Sequence, residues 1–268
     1  MIRLLVALAL LAGCSHHEDS NGAHYIALPD SLREISGLAS ASADSVFAHD
    51  DERGIVHEIS VDDGEVIRSF ALGNPAIEAD FEGIAADGNR LWMITSEGAI
   101  FAFRAGANGA HVAYEEYESG VGDYCEIEGL SLSPNPDSLL IACKRMLQGP
   151  RRGTLVIYEW DTRRRRPVDT PWREIGLAEA LGEESGEFAP SGIEWLPDYN
   201  QILVIAARGR SMLVLDEGGR IVSRHRISAG RHPQPEGVTV VGSNRLVIAD
   251  EGPAGTRGQI AVYRYPLR

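Results

Sequence analysis

Carboxylates recur one and three residues ahead of a glycine along this chain. They are Glu34 before Gly37, Asp80 and Glu82 before Gly83, Glu126 and Glu128 before Gly129, and Glu236 before Gly237. Residues two apart in an extended strand share a face, so these six acids are expected to converge on one end of a common axis or to point together into seams between units. Two like charges about 4 Å apart cost on the order of 4 kcal/mol at an effective dielectric near 20. Such a set must bind a cation, pair with Arg or Lys, or keep some of its protons. An oxygen-rich, sulfur-poor set suits Ca²⁺ rather than zinc. The chain's single lysine, Lys144, falls at the aligned position of the third unit and reads either as an internal counter-ion or as an incidental surface lysine. His49, beside Asp50, is the histidine best placed to act as a base. No calcium-loop motif, paired metal histidines, nucleophile elbow or phosphate-cradling loop is present.

The elements that must position these acids come from a repeat. The glycines Gly37, Gly83, Gly129, Gly192 and Gly237 recur about every 46 residues, with one interval about 17 longer, and a period of this size marks solenoids, propellers or arrays. Each unit reads strand, turn, strand, turn, strand, as in GIAA, LWMIT and AIFAF, with Asp, Gly, Asn and Pro at the turns. Four antiparallel strands per unit describe a β-propeller blade. The expected fold is all-β, a propeller of five blades, with six as the alternative if the long interval hides another. Glycine inside the first strand allows close backbone approach around the hub. The last unit runs out of chain after three strands, and HYIAL at residues 24–28 would supply its outer strand and close the ring. Residues 172–181, WREIGLAEAL, carry a short helical pattern, although 172–177 also serve to finish the third unit; the flanking TRRRRP and GEESGE read as solvated charge runs.

At 268 residues, 44% apolar and 24% charged, the chain has ample material for a core, and a net charge of −14 excludes a phosphate-backbone binder. Residues 1–13 form a signal segment with Arg3 ahead of an apolar run too short to span a bilayer. The sequence Leu11-Ala12-Gly13-Cys14 resembles the lipobox of bacterial lipoproteins, which implies a lipid on Cys14, a polar tether over 14–23 and a propeller over 24–268. By the same resemblance, Ser15 directs the protein to the outer membrane, facing the periplasm. In that oxidising compartment Cys125 and Cys143 either pair or remain as two buried thiols.

The phrases EISGL, DFEGIA, EIEGLSL, PSGIEWLP, PQPEGVTV and IADEG together resemble the SdiA-regulated (YjiK-like) propeller family over about residues 26–265. That resemblance implies a propeller of the bacterial envelope and names no reaction. More distantly, the D-x-E-G phrase is similar to esterase-like propellers of the phytase type and other calcium-bearing propellers. It implies Glu34, Asp80, Glu82, Glu126, Glu128, Glu236 and Glu251 as ligands of a cation, while Ser191, Ala189 and the Lys144-Arg145 pair break the symmetry of such a ring. Two functions follow as expectations. One is a monomeric, lipid-tethered binding module for a small-molecule or protein ligand; the other is a calcium-dependent hydrolase of a phosphate ester, lactone or similar ester, with His49 or a free carboxylate as base.

Overall fold

The computed structural model describes residues 23–148 and 152–267. The signal segment, Cys14 and the tether up to residue 22 lie outside the described residues.

Five antiparallel sheets follow one another along the chain. The second sheet shows the plan: an inner strand Phe81–Asp87, then Arg90–Thr95, Ala99–Arg104 and an outer strand Tyr114–Glu118. The second strand is almost wholly buried and the outermost one mostly exposed. The middle of a blade is sandwiched between its two neighbours, so its strands carry continuous apolar runs, and only the rim sees water. The buried apolar side chains accordingly fall into five clusters, one per seam, such as Leu91, Met93 and Phe101 against the first blade and Trp92, Ile94 and Ile100 against the third.

The expected closure is present. His24–Ala27 pairs antiparallel with Gln259–Arg264, placing His24 opposite Val262 and Ala27 opposite Gln259. Leu28, Leu32, Leu38 and Val247 fill the seam behind it. Blade five is thus completed from the other end of the chain, which covers the edge of Gln259–Arg264.

The five-blade reading holds, and two details refine it. The long interval holds the outer strand Arg173–Gly176 that finishes the third blade, a single helical turn Ala178–Leu181 and a 3₁₀ segment Gly182–Glu187. Residues 173–176 follow strand rather than helical pattern because they pair with Thr154–Ile157 of the third blade. Blade one also gains a fifth strand, His111–Val112, which runs parallel to Val66–Leu72 and covers its edge.

Candidate functional site

Every inner strand enters the ring at the same end. In blades one, two and five the pairing slips by one residue at the position ahead of the glycine. Ile35 faces Asp50 but Gly37 already faces His49; Phe81 and Gly83 face Thr95 and Ile94; Pro235 and Gly237 face Asp250 and Ala249. Ser36, Glu82 and Glu236 are the extra residues of these β-bulges, left without a ladder partner. The glycine behind each one packs on the neighbouring blade. A Cβ on Gly83 would lie 2.5 Å from the backbone N of Leu130, one on Gly237 3.0 Å from that of Leu38, and one on Gly192 2.8 Å from the carbonyl of Glu236. Just inside the glycines the five inner strands close to a void of only about 10 Å³, while Leu38, Ile84, Leu130, Ile193 and Val238 pack into five different seams between blades. The expected open channel is therefore a closed floor with an acidic rim above it.

The rim is unevenly neutralised. The Lys144 ammonium donates to Glu128 and stands 3.6 Å from Glu126, whose other oxygen is 2.6 Å from Arg145. Burial works against the Lys144 charge, but its hydrogen bond to Glu128 and the surrounding carboxylates more than reverse this and raise its pKa. Lys144, itself exposed, is the cation paired with the buried Glu128. Arg33 pairs with Glu34 at 2.8 Å, Ser96 donates to the exposed Asp80, and Gln234 donates to Glu251. Glu82 receives a hydrogen bond from Ser36 at 3.1 Å. Among the described residues neither Glu82 nor Glu236 has a cation in contact. Burial, reinforced by the charges of Glu128 and Asp80, pushes Glu82 up to about 9. Burial and then the charge of Glu128 push Glu236 up to about 8. Asp51, half-buried, is pushed up to about 6 by desolvation and then by the charge of Glu34. At neutral pH the mouth keeps protons where a cation is missing.

The fourth blade departs from the acidic pattern, and its small residues make room. Where Ala189 and Ser191 replace acids, a cavity of about 300 Å³ opens, lined by Glu128, Lys144, Ser191, Arg208, Gln234 and Glu236. Ser191 is not a free hydroxyl: it donates to the carbonyl of Pro235 at 2.6 Å and accepts from the N–H of Ala207 at 3.0 Å.

His49 is not brought to this mouth. It is fully buried beneath Gly37, its Nδ1 bonded to the Asp50 carbonyl at 2.9 Å, and burial lowers its pKa to about 4. A neutral ring in the core, it stands away from the pocket. Cys125 and Cys143 are joined as a disulfide between the first two strands of blade three, with Cα atoms 5.7 Å apart. Among the described residues no three Asp, Glu, His or Cys side chains come together in a way that would hold a metal ion. The calcium cage implied by the resemblance is not preformed, because Lys144 occupies the centre of its richest acid cluster.

Sequence reasoning missed two further buried groups. Glu194 sits below the hub, partly buried and pushed up to about 8 by desolvation, and accepts from Ser131 at 3.0 Å and Thr239 at 2.8 Å. It is a neutral acid that ties blades three, four and five together. His232 bonds Asp250 at 2.7 Å and the Tyr263 hydroxyl at 2.5 Å. No spacing rule joins residues so far apart in the chain, so neither arrangement had a local signal.

The solved structures that resemble this one include a luciferin-regenerating enzyme and the glutaminyl cyclase of Myxococcus xanthus. The first is 10% identical, with a TM-score of 0.57, covering 92% of this chain and 97% of that one. The second is 16% identical, with a TM-score of 0.58, covering 90% and 95%. At such identities the likeness is one of fold. No curated protein matches the chain in sequence. The profile of the phytase-like family, described as the esterase-like activity of phytase, matches residues 16–222. With that match running through four of its five blades, the chain belongs to the phytase-like β-propeller family.

Proposed function

We propose that this protein is a lipid-anchored envelope propeller of the SdiA-regulated kind whose mouth pocket binds a small ligand carrying positive charge. One observation carries the reading: Glu82 and Glu236, both largely buried at the mouth, have no cation in contact and hold protons instead. Protonation spares these buried acids an unpaired charge, and a cation bound beside the cavity next to Glu236 would supply the missing countercharge and displace those protons. The ligand is an amine-bearing molecule or a calcium ion, which share the chemistry of a carboxylate-bound cation. Calorimetric titration with spermidine and, separately, with CaCl₂ distinguishes them. The account expects saturable binding of one of the two, weakened at least tenfold by Glu82→Gln and by Glu236→Gln. Binding of neither, or binding indifferent to both substitutions, refutes it.

The anchor has its own test. Mass analysis of the protein from membranes is expected to find lipid on Cys14 of the processed chain, and Cys14→Ser is expected to release the protein to the soluble fraction. An unmodified, soluble wild-type protein would end the lipoprotein reading. Among the described residues no helix is long and apolar enough to cross a membrane.

A second reading, hydrolysis of a small ester, is supported by the family's description and by the grouping of Glu236, Lys144 and Arg208 in one cavity. Lys144 and Arg208 would hold the carbonyl or phosphoryl oxygen. Water would add to that centre as protonated Glu236 gives its proton to the departing oxygen, and the carboxylate so formed would take up the proton that the added water loses. Turnover of p-nitrophenyl acetate or phosphate that falls at least a hundredfold in Glu236→Gln supports this reading; no turnover above the buffer rate rejects it.

A further inference from the structure

A second, larger cleft opens far from the mouth, in the wedge between the outer parts of blades two and three, with a volume of about 690 Å³. Its side chains follow from strand alternation. On Arg90–Thr95, Arg90 and Trp92 share the face turned to blade three, and Arg104 is the register partner of Arg90 on the next strand. Tyr117, on the outer strand, lies beside Ile100 on the same face. Trp160 comes from the facing strand of blade three, and Arg165 from the arginine-rich loop that follows it.

Three features of this cleft point to a ligand. The first is charge: three arginines line it against one acid, Glu115, in a chain whose net charge is −14. Glu115 stands 3.4 Å from Arg165, whereas Arg90 has no acid within ion-pair distance among the described residues. The second is stacking. The Arg90 guanidinium lies 4.9 Å over the Trp92 ring and that of Arg165 4.8 Å over Tyr117, so planar cations rest on planar aromatic surfaces. The third is an unmet need: Trp160 is 1% exposed and its indole Nε1–H has no acceptor among the described residues. A buried donor left unpaired is costly, and an acceptor oxygen delivered by a ligand relieves it.

We propose that this cleft is a binding site for a small organic anion, a carboxylate or phosphate monoester carried on a planar apolar body. Arg90, Arg104 and Arg165 take the anionic oxygens, Trp160 Nε1–H donates to an acceptor of the ligand, and Trp92 and Tyr117 take its apolar face. Arg165, the third arginine of a run that reads as plain solvated charge, is here a stacked member of the site. The site is separate from the acidic mouth in both place and sign of charge.

Two of the chain's four tryptophans, Trp92 and Trp160, belong to this cleft, so ligand entry is read in intrinsic fluorescence and affinities are measured by calorimetry. The probes are phenyl phosphate and benzoate, with inorganic phosphate and benzyl alcohol as the arms lacking the apolar body and the charge. The proposal expects saturable binding of phenyl phosphate or benzoate, at least tenfold tighter than either control. Arg90→Gln, at an exposed position that folding tolerates, is expected to weaken binding at least tenfold. Trp160→Phe keeps a large ring but removes the N–H, and is expected to weaken binding several-fold without lowering the Tm of the empty protein. Glu236→Gln at the mouth is expected to leave this binding unchanged, which separates it from the ligand proposed there. Absence of saturable binding by both aromatic anions, equal binding of benzyl alcohol, or affinities indifferent to Arg90→Gln would overturn it.

Discussion

Glu82 and Glu236 hold protons at neutral pH because burial penalises their charged forms and neighbouring carboxylates add to the penalty. In the unfolded chain both titrate near the ordinary value of 4.5. Between that value and about 8 to 9 the folded protein binds more protons than the unfolded one, so stability falls as pH rises through this window. Below pH 4.5 their contribution is complete; above pH 9 it is gone. Thermal melts across pH 5 to 9 are expected to show a falling Tm that flattens in the double variant Glu82→Gln/Glu236→Gln, with a gain of about 2–4 °C for that variant at pH 9, the response to roughly 1 kcal/mol in a chain of this size. An identical slope in wild type and variant would deny these two groups the role. Lys144 gives the opposite case. Lys144→Met leaves Glu128, 5% exposed, without its cation. The loss of the partner of a buried charge is expected to cost about 1–3 kcal/mol. Adding Glu128→Gln should recover most of that loss in a double-mutant cycle measured by urea unfolding. Additive losses would mean that the pair does not interact.

The inner strands convert a two-residue phrase into geometry. The acid is the extra residue of a bulge and the glycine is the point where neighbouring backbones touch. Gly83→Ala would put a methyl 2.5 Å from the backbone N of Leu130, where no flexible side chain can yield. A loss of about 2–3 kcal/mol is expected, the upper range for overpacking a tight core. Gly176→Ala serves as the control, since its Cβ meets nothing within 4 Å and its φ is ordinary; its unfolding midpoint should match the wild type. The glycine period, the turn residues and the apolar runs made five four-stranded blades readable in advance, because each of those signals is local. The bulges were not readable. Strict alternation put Asp80 and Glu82 on one face, whereas the slip in register leaves Asp80 exposed on the rim and turns Glu82 inward. The two readings of residues 172–181 were divided by pairing. Pairing with Thr154–Ile157 outweighed helical periodicity in the first half, and a helical turn survived only in the second.

At the scale of the whole ring, closure and asymmetry decide what the molecule can do. His24–Ala27 seals blade five, so removing residues up to Leu28 would expose the edge of Gln259–Arg264 and empty part of the seam behind it. That truncation is expected to lower Tm by more than 10 °C and to promote association in size-exclusion chromatography, whereas a chain starting at Ala23 should stay folded. A truncation after Leu28 with unchanged melting would refute the closure. The asymmetry lies in the mouth, where small residues in blade four open a cavity beside an acid-rich remainder. Its acids were legible from the sequence, as was the departure at Ala189 and Ser191. The closed floor was not, because it depends on how closely the five inner strands approach one another around the axis. His49, a reasonable base by spacing, is lost to the core for the same reason: its neighbours in space come from other parts of the ring.

The central claim is that a bound cation replaces protons held at the mouth, and proton release measures that replacement. Titrating the protein at pH 7.5 with its positively charged ligand in two buffers of different ionisation enthalpy gives the number of protons expelled per cation bound. The account predicts release of about one to two protons, falling toward zero in Glu82→Gln/Glu236→Gln. Tight binding without proton release, or release that persists in that variant, would contradict it.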